Sequence, residues 1–225
     1  ASIYIMKTSV ALRLLIDHVR DTENCLRRRD IKCARESVSG IVRRDVSRLS
    51  EGHVASAAIE SLYENLVDSF VSPLIYYVVL GPLGALLQRL ANTMDGALGY
   101  KENGFKEIGW FSARVDTILN YLPARLTALL EVLMCPLVSG DLGFSWRIYS
   151  RYRRSVESIN AGHPMSAASG CLRVKLEKLG YYVIGREFDL PSHRDIHRGI
   201  VHVYYVVAVF LLLLGISIIF IHELC

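Results

Sequence analysis

Apolar positions run in several different rhythms along this chain, and each rhythm predicts its own kind of element. Between residues 7 and 20, Val10, Leu12, Leu14, Leu15 and Val19 recur near helical spacing, with Lys7, Arg13, Asp17 and Arg20 between them. That pattern predicts an amphipathic helix. Residues 55–68 repeat the pattern, and residues 21–38, of mixed charge, read as helical too. The stretch GIVHVYYVVAVFLLLLGISIIFI, residues 199–221, carries no Asp, Glu, Lys or Arg. A run of that length crosses a hydrocarbon core of about 30 Å as a helix. At about −0.3 to −0.6 kcal/mol for each Val, Ile, Leu and Phe, its insertion is favoured by several kcal/mol. Arg194 and Arg198 precede it and Glu223 follows, which places the preceding segment in the cytoplasm and the C-terminus outside.

Two further apolar runs are irregular. SFVSPLIYYVVLGPLGALLQ (69–88) is broken at Ser72-Pro73 and Gly81-Pro82. Proline removes a backbone donor and kinks helices, so an interrupted span or re-entrant hairpin is expected. WFSARVDTILNYLPARLTALL (110–130) keeps Arg114, Asp116, Asn120 and Arg125 in an apolar setting. Over 117–138 the apolar gain is of the size of the cost of Arg125 plus Glu131, about 3 kcal/mol each near a bilayer centre. Such a segment packs against protein with its polar groups inward. Gly and Pro mark loops at 81–84, 140–143, 160–164 and 185–191, and no strand alternation of convincing length is present. The expected fold is all-α: a polytopic helical membrane protein in one domain, 1–225, with kinked or re-entrant apolar segments and a C-terminal transmembrane helix at 199–221. No secretory signal peptide or repeat is seen, and the expected location is the cell membrane, multi-pass.

Composition agrees. Of 225 residues 52% are hydrophobic, above the usual soluble range. The net charge is only +4, with bases scattered among acids, so nucleic acid is not an expected partner. Cysteines at 25, 33, 135, 171 and 225 form no CxxC pair and read as reduced structural thiols.

The chemistry must then come from polar clusters. Glu60, Glu64 and Asp68 fall at i, i+4 and i+8, stacking carboxylates on one helical face with Asn65 beside them. The stack reads as a site for Mg²⁺ or an ammonium group, with Glu64 and Asp68 as the metal candidates, or else as a solvated acidic face. Asn92 and Asp95 share a face ahead of Gly96, Gly99 and the polar YKENGFKE turn, where Lys101 is a candidate for phosphate. INAGHPMSAASG (159–170) opens a helix with small residues, a possible anion seat around Asn160 and Gly162 or simply close helix packing. His193, His197 and His202 lack the HExxH arrangement, and GxxxxGK[ST], GxGxxG and GxSxG are all absent.

The segments ARESVSGIVRRDVSRLSEGHVASAAIESLYENLVDSFVSPLIYY, NTMDGALGYKENGFKEIGWFSARVDTILNYLPARLTALL and INAGHPMSAASG, in that order, closely resemble the CobD/CbiB family of cobalamin-pathway membrane enzymes. KTSVALR at 7–13 and DIHRGI before the last span extend the resemblance over nearly the whole chain. It implies adenosylcobinamide-phosphate synthase activity: an ATP-dependent acid-amine ligase joining a corrinoid carboxylate, adenosylcobyric acid, to the amine of aminopropanol phosphate, with ATP and Mg²⁺ as cofactors. The expected partners are the corrinoid, aminopropanol phosphate and the lipid bilayer.

Under that reading Glu64, Asp68, Asp95 and Asp116 are the catalytic carboxylates. Lys7, Arg44, Lys101, Arg114 and Arg125 hold phosphates or the corrinoid carboxylate, while Asn65, Asn92, Asn120, Asn160 and Gly162 complete the binding set. The family generally has Gly, Thr, Pro and Trp where Arg43, Val46, Ile159 and His163 stand, and an N-terminal portion with apolar segments of its own before the region matched here. The alternative is a non-catalytic membrane sensor or ligand-binding protein of the same superfamily. Two full crossings at 69–88 and 117–138 would put the polar loop between them outside, away from cytoplasmic ATP. Incomplete crossings, with that loop returning to the cytoplasmic face, are therefore expected.

Overall fold

A computed structural model describes residues 11–98 and 106–224; Lys7 and Lys101 lie outside the described residues. Helix α1 (Leu12–Arg27) buries Leu15, Ile16, Val19 and Leu26 on one stripe, the face that the apolar spacing predicts. Arg29 turns the chain in the left-handed region, and the Asp30 carboxylate accepts the Cys33 amide to cap α2 (Ile31–Ser39). The tight hairpin sets the Cα atoms of Cys25 and Cys33 5.6 Å apart, and the two are joined as a disulfide. This corrects the expectation of reduced thiols throughout; Cys135 and Cys171 are free and buried.

Helix α3 (Glu51–Leu66) is the centre of the molecule. Ser50 caps it, and Val54, Ala55, Ala58, Ile59, Leu62 and Tyr63 are fully buried, because other elements cover it on several sides. It widens into a π-turn (Val67–Val71) and continues as α4 (Ser72–Leu98). Gly81, at φ 68° and ψ −160°, breaks α4 before Pro82, in a conformation that essentially only glycine adopts. Beyond it the chain doubles back. Gln88 Nε2 reaches the Asp68 carbonyl at 3.3 Å and Asn92 Nδ2 reaches the Asp68 carboxylate at 3.3 Å. In a straight helix the 24 residues between Asp68 and Asn92 would separate them by about 36 Å. The tip is apolar and exposed at Val79, Leu80, Leu83 and Leu87, as suits a re-entrant hairpin in lipid.

Prolines leave carbonyls without partners, and other elements supply the donors. Pro73 cannot donate to the Ser69 carbonyl, which accepts the Ala11 amide at 3.1 Å. Pro123 cannot donate to Leu119, whose carbonyl accepts the Tyr76 hydroxyl at 3.0 Å. That second proline lies in α6 (Tyr121–Met134), which follows α5 (Lys106–Leu119) across Asn120.

A 3₁₀ turn (Cys135–Val138) leads to α7 (Leu142–Tyr152) and then to α8 (Gly162–Leu172), which is buried on every side. A short antiparallel hairpin, β1 (Leu176–Lys178) and β2 (Tyr182–Ile184), pairs Leu176 with Ile184 and holds the only strands among the described residues. Helix α9 (His193–Leu224) packs Ile196, Ile200, Val203 and Val206 against the core. His202 Nδ1 lies 2.8 Å from the Tyr63 hydroxyl and its Nε2 2.9 Å from the Glu131 carbonyl. Among the described residues three stretches are long and apolar enough to cross a membrane: Glu51–Ala97, Tyr121–Val138 and His193–Phe220. The first is spent on the doubled-back hairpin. The molecule is thus a helical membrane protein with a re-entrant apolar arm and a C-terminal span.

Candidate functional site

The polar ends of these elements meet at the root of the re-entrant arm. Helix α3 brings Glu60 and Glu64, the π-turn Asp68, the return arm Asn92 and Asp95, and α5 brings Asp116. Two cavities open there, of about 590 Å³ and 400 Å³. Glu64, Asp68 and Asp95 line both, forming a shared carboxylate wall.

Asn92 joins the wall to α5. Its Nδ2 donates to an Asp68 carboxylate oxygen and to Asp116 Oδ1, each at 3.3 Å. Asn120 Nδ2 donates to the same Asp116 oxygen at 3.0 Å, and Asn120 Oδ1 accepts from Gln88 Nε2 at 3.2 Å. An amide with two hydrogens can hold two carboxylates that would otherwise repel each other. Burial pushes the Asp116 carboxyl up from the usual carboxylate range; the Asn92 and Asn120 hydrogen bonds oppose the rise and the Asp95 charge adds to it. The π-turn makes the arrangement possible, because it frees the Asp68 carbonyl for Gln88. Such widened turns occur often at functional sites.

The sequence places Glu60, Glu64 and Asp68 on one face, but they diverge in role. Glu60 is tied down: Arg44 bonds it at 3.1 Å, the Tyr182 hydroxyl donates to it at 2.7 Å, and Ser56 donates as well. Glu64 stands open to both cavities, and Asp68 takes the Asn92 bond.

Of the residues singled out from sequence, Arg44, Asn65 and Asn92 line the larger cavity with the wall, and Asp116, Asn120 and Asn160 line the smaller. Arg125 lines neither. Its guanidinium lies 3.3 Å from the Tyr121 ring centre and donates to Asn160 Oδ1 at 3.3 Å, so it steadies a lining amide. Gly162 is buried behind the smaller cavity, where the Arg153 carbonyl leaves no room for a side chain. Arg114 is exposed and is not brought to the group. It sits two residues from Asp116, about 200° around the helix, so when Asp116 faces the cavity Arg114 faces away.

Several lining residues escaped the sequence reading. Arg43, Arg89, Lys178 and Tyr182 all face the larger cavity. Arg89 Nη1 donates to Ser69 Oγ at 3.2 Å, and the Arg43 guanidinium packs over Gly96, where a β-carbon would collide with it. Only Gly96 carried a local signal, a glycine beside Asp95 that permits close approach; the rest depend on long-range folding. Among the described residues no group of three or more His, Cys, Asp or Glu side chains is arranged to hold a metal ion. His193, His197 and His202 form no such group.

The sequence model of the CobD/Cbib protein family matches residues 1–203. The protein of Aeropyrum pernix named probable cobalamin biosynthesis protein CobD is 49% identical over 85% of this chain and 60% of its own length. Its namesake in Thermoplasma acidophilum is 39% identical over 91% of the chain and 66% of that relative. In Pyrococcus furiosus the namesake is 40% identical over 96% of the chain and 70% of that relative. The chain spans 60% of the first of these relatives' length. No solved structure matches.

Proposed function

The chain belongs to the CobD/Cbib family, and from that premise we propose that it serves cobalamin biosynthesis as an amide-forming ligase. The substrates in this reading are adenosylcobyric acid and aminopropanol phosphate, and ATP supplies the driving force. The observation that carries it is the wall of Glu64, Asp68 and Asp95 between two polar cavities, clamped to Asp116 by Asn92.

An unactivated carboxylate and an ammonium ion form a salt, not an amide. The carboxylate oxygen must first take a phosphoryl group from ATP, giving an acyl phosphate and ADP. The amine nitrogen, once it has lost a proton, attacks the acyl carbon; the carbon–oxygen bond to phosphate breaks and phosphate leaves. This chain's residues have three tasks in that scheme: to hold anions, to hold the ammonium and take its proton, and to keep the two reactants aligned.

Asp116 is the natural partner for the ammonium, because a carboxyl with a raised pKa is a better proton acceptor than an ordinary one. Asn92 and Asn120 fix its orientation, and Asn160, steadied by Arg125, adds a directional group in the same cavity. Asp95 completes the wall on the return arm.

Mg²⁺ bound with a nucleotide needs only one or two protein carboxylates, with phosphate and water filling its other positions. Glu64 and Asp68, adjoining the arginine-lined cavity, suit that donor set. The ion would offset phosphate charge when bound.

The decisive experiment is amide formation by the purified chain in lipid nanodiscs, with and without ATP and aminopropanol phosphate. Asp116→Asn should insert normally yet lower turnover by about 100-fold or more, the usual range for losing a proton acceptor. Undiminished turnover in that variant, or no amide product from the parent chain, refutes the assignment.

A further inference from the structure

The larger cavity collects cations from three separate parts of the chain. Arg43 and Arg44 come from the segment between α2 and α3, Arg89 from the return arm, and Lys178 from β1. Gathering like charges is unfavourable unless something opposes them. Arg44 is matched by Glu60. Arg43, Arg89 and Lys178 make no ion pair among the described residues, although Glu64, Asp68 and Asp95 line the same cavity.

Opposite charges facing one cavity without pairing leave space between them. The supports of the cations help to hold them in place: Arg89 is bonded to Ser69 Oγ, Arg43 is packed over Gly96, and Lys178 lies 4.5 Å from the Tyr181 ring centre. Arg44, paired with Glu60, adds a further positive charge to the same lining.

We infer that the larger cavity is a polyphosphate seat in which Arg43, Arg89 and Lys178 are the phosphate-binding residues, with Arg44 behind them. The proposal rests on the ligase reading for the identity of the polyphosphate as a nucleotide tail, but the seat itself rests on geometry. Guanidinium groups supply paired donors to phosphate oxygens and the lysine a mobile point charge. A divalent ion travelling with the phosphates would at the same time neutralise Glu64 and Asp68. None of these three cations comes from the polar loop after Gly96 or from α5, so the phosphate contacts and the Asp116 cavity fall on opposite sides of the carboxylate wall.

The test is binding, without catalysis. Inorganic tripolyphosphate with excess Mg²⁺ is titrated onto the chain in nanodiscs by calorimetry, using Arg43→Gln, Arg89→Gln, Lys178→Gln and, as a control, Arg114→Gln. Each of the first three should weaken binding by about fivefold to tenfold, the effect of removing one charge-assisted contact, and the control should not. An unchanged denaturant midpoint in mixed micelles for the same variants shows that they are folded. Unchanged tripolyphosphate affinity in all three, an equal loss in Arg114→Gln, or no binding by the parent chain overturns the seat. Loss in the three variants from a parent chain that forms no amide would leave the seat standing and remove the ligase reading instead.

Discussion

Replacing Tyr76 by Phe removes a single oxygen atom and strands one carbonyl. Pro123 has no amide hydrogen, so the Leu119 carbonyl cannot accept its α-helical partner and depends on the Tyr76 hydroxyl at 3.0 Å. An unsatisfied buried acceptor costs about 1–3 kcal/mol in water-soluble proteins. Hydrogen bonds inside membrane proteins average nearer 0.6 kcal/mol, with a maximum near 1.7. Tyr76 is half-buried, so a loss of about 1 kcal/mol is expected. The structure also supplies the rescue. Pro123→Ala restores an amide hydrogen at the position that faces Leu119 in a regular helix, so Tyr76→Phe should cost almost nothing in that background. The measurement is a double-mutant cycle by denaturant unfolding in mixed micelles, with a coupling energy of about 0.5 kcal/mol or more. Equal destabilisation by Tyr76→Phe in both backgrounds would refute the reasoning, since it would show that the hydroxyl does not stand in for the missing amide.

Two further outcomes are expected. With native cysteines replaced, single cysteines at Glu51 and Ala97, both exposed, should react with a membrane-impermeant maleimide from the same side of sealed vesicles; labelling from opposite sides would mean that the arm does not reverse at Gly81. His163 is buried beside Arg125, Arg153 and Arg154, and burial first and those charges second lower its pKa to about 4. The unfolded chain therefore binds the proton more readily, and stability should fall as pH drops from about 6.5 towards 4, by on the order of 2–3 kcal/mol. His163→Gln should flatten that part of the stability profile, and an unchanged slope would show that His163 is not its source.

The parts of this fold that could be read in advance are those written in local chemistry. Residues 199–221 have no charged side chain, so their fate is decided by transfer energy alone. Gly81-Pro82 removes a donor and supplies a left-handed residue at one point, which is enough to announce an interruption. Helical spacing also put Glu60, Glu64 and Asp68 on one face, but it could not say that Arg44, Tyr182 and Ser56 would claim Glu60 and leave Glu64 open. Arg89, Lys178 and Tyr182 reach the site only because the arm folds back and a pair of three-residue strands docks against α3; no short window of sequence contains those contacts. Arg114 is instructive in the other direction. Its two-residue offset from Asp116 already implies opposite faces of a helix, so charge alone was a poor guide where angular position was available. The Cys25–Cys33 bridge depends on the turn at Arg29, which an eight-residue spacing does not reveal.

The turn at Gly81 also bears on supply. An arm that re-emerges on the face where it entered leaves the parity of bilayer crossings unaltered, so its two polar rims draw on a single aqueous reservoir. In the proposed ligase reaction, fuel, acid and amine would then be met from one compartment, with none of them ferried through lipid.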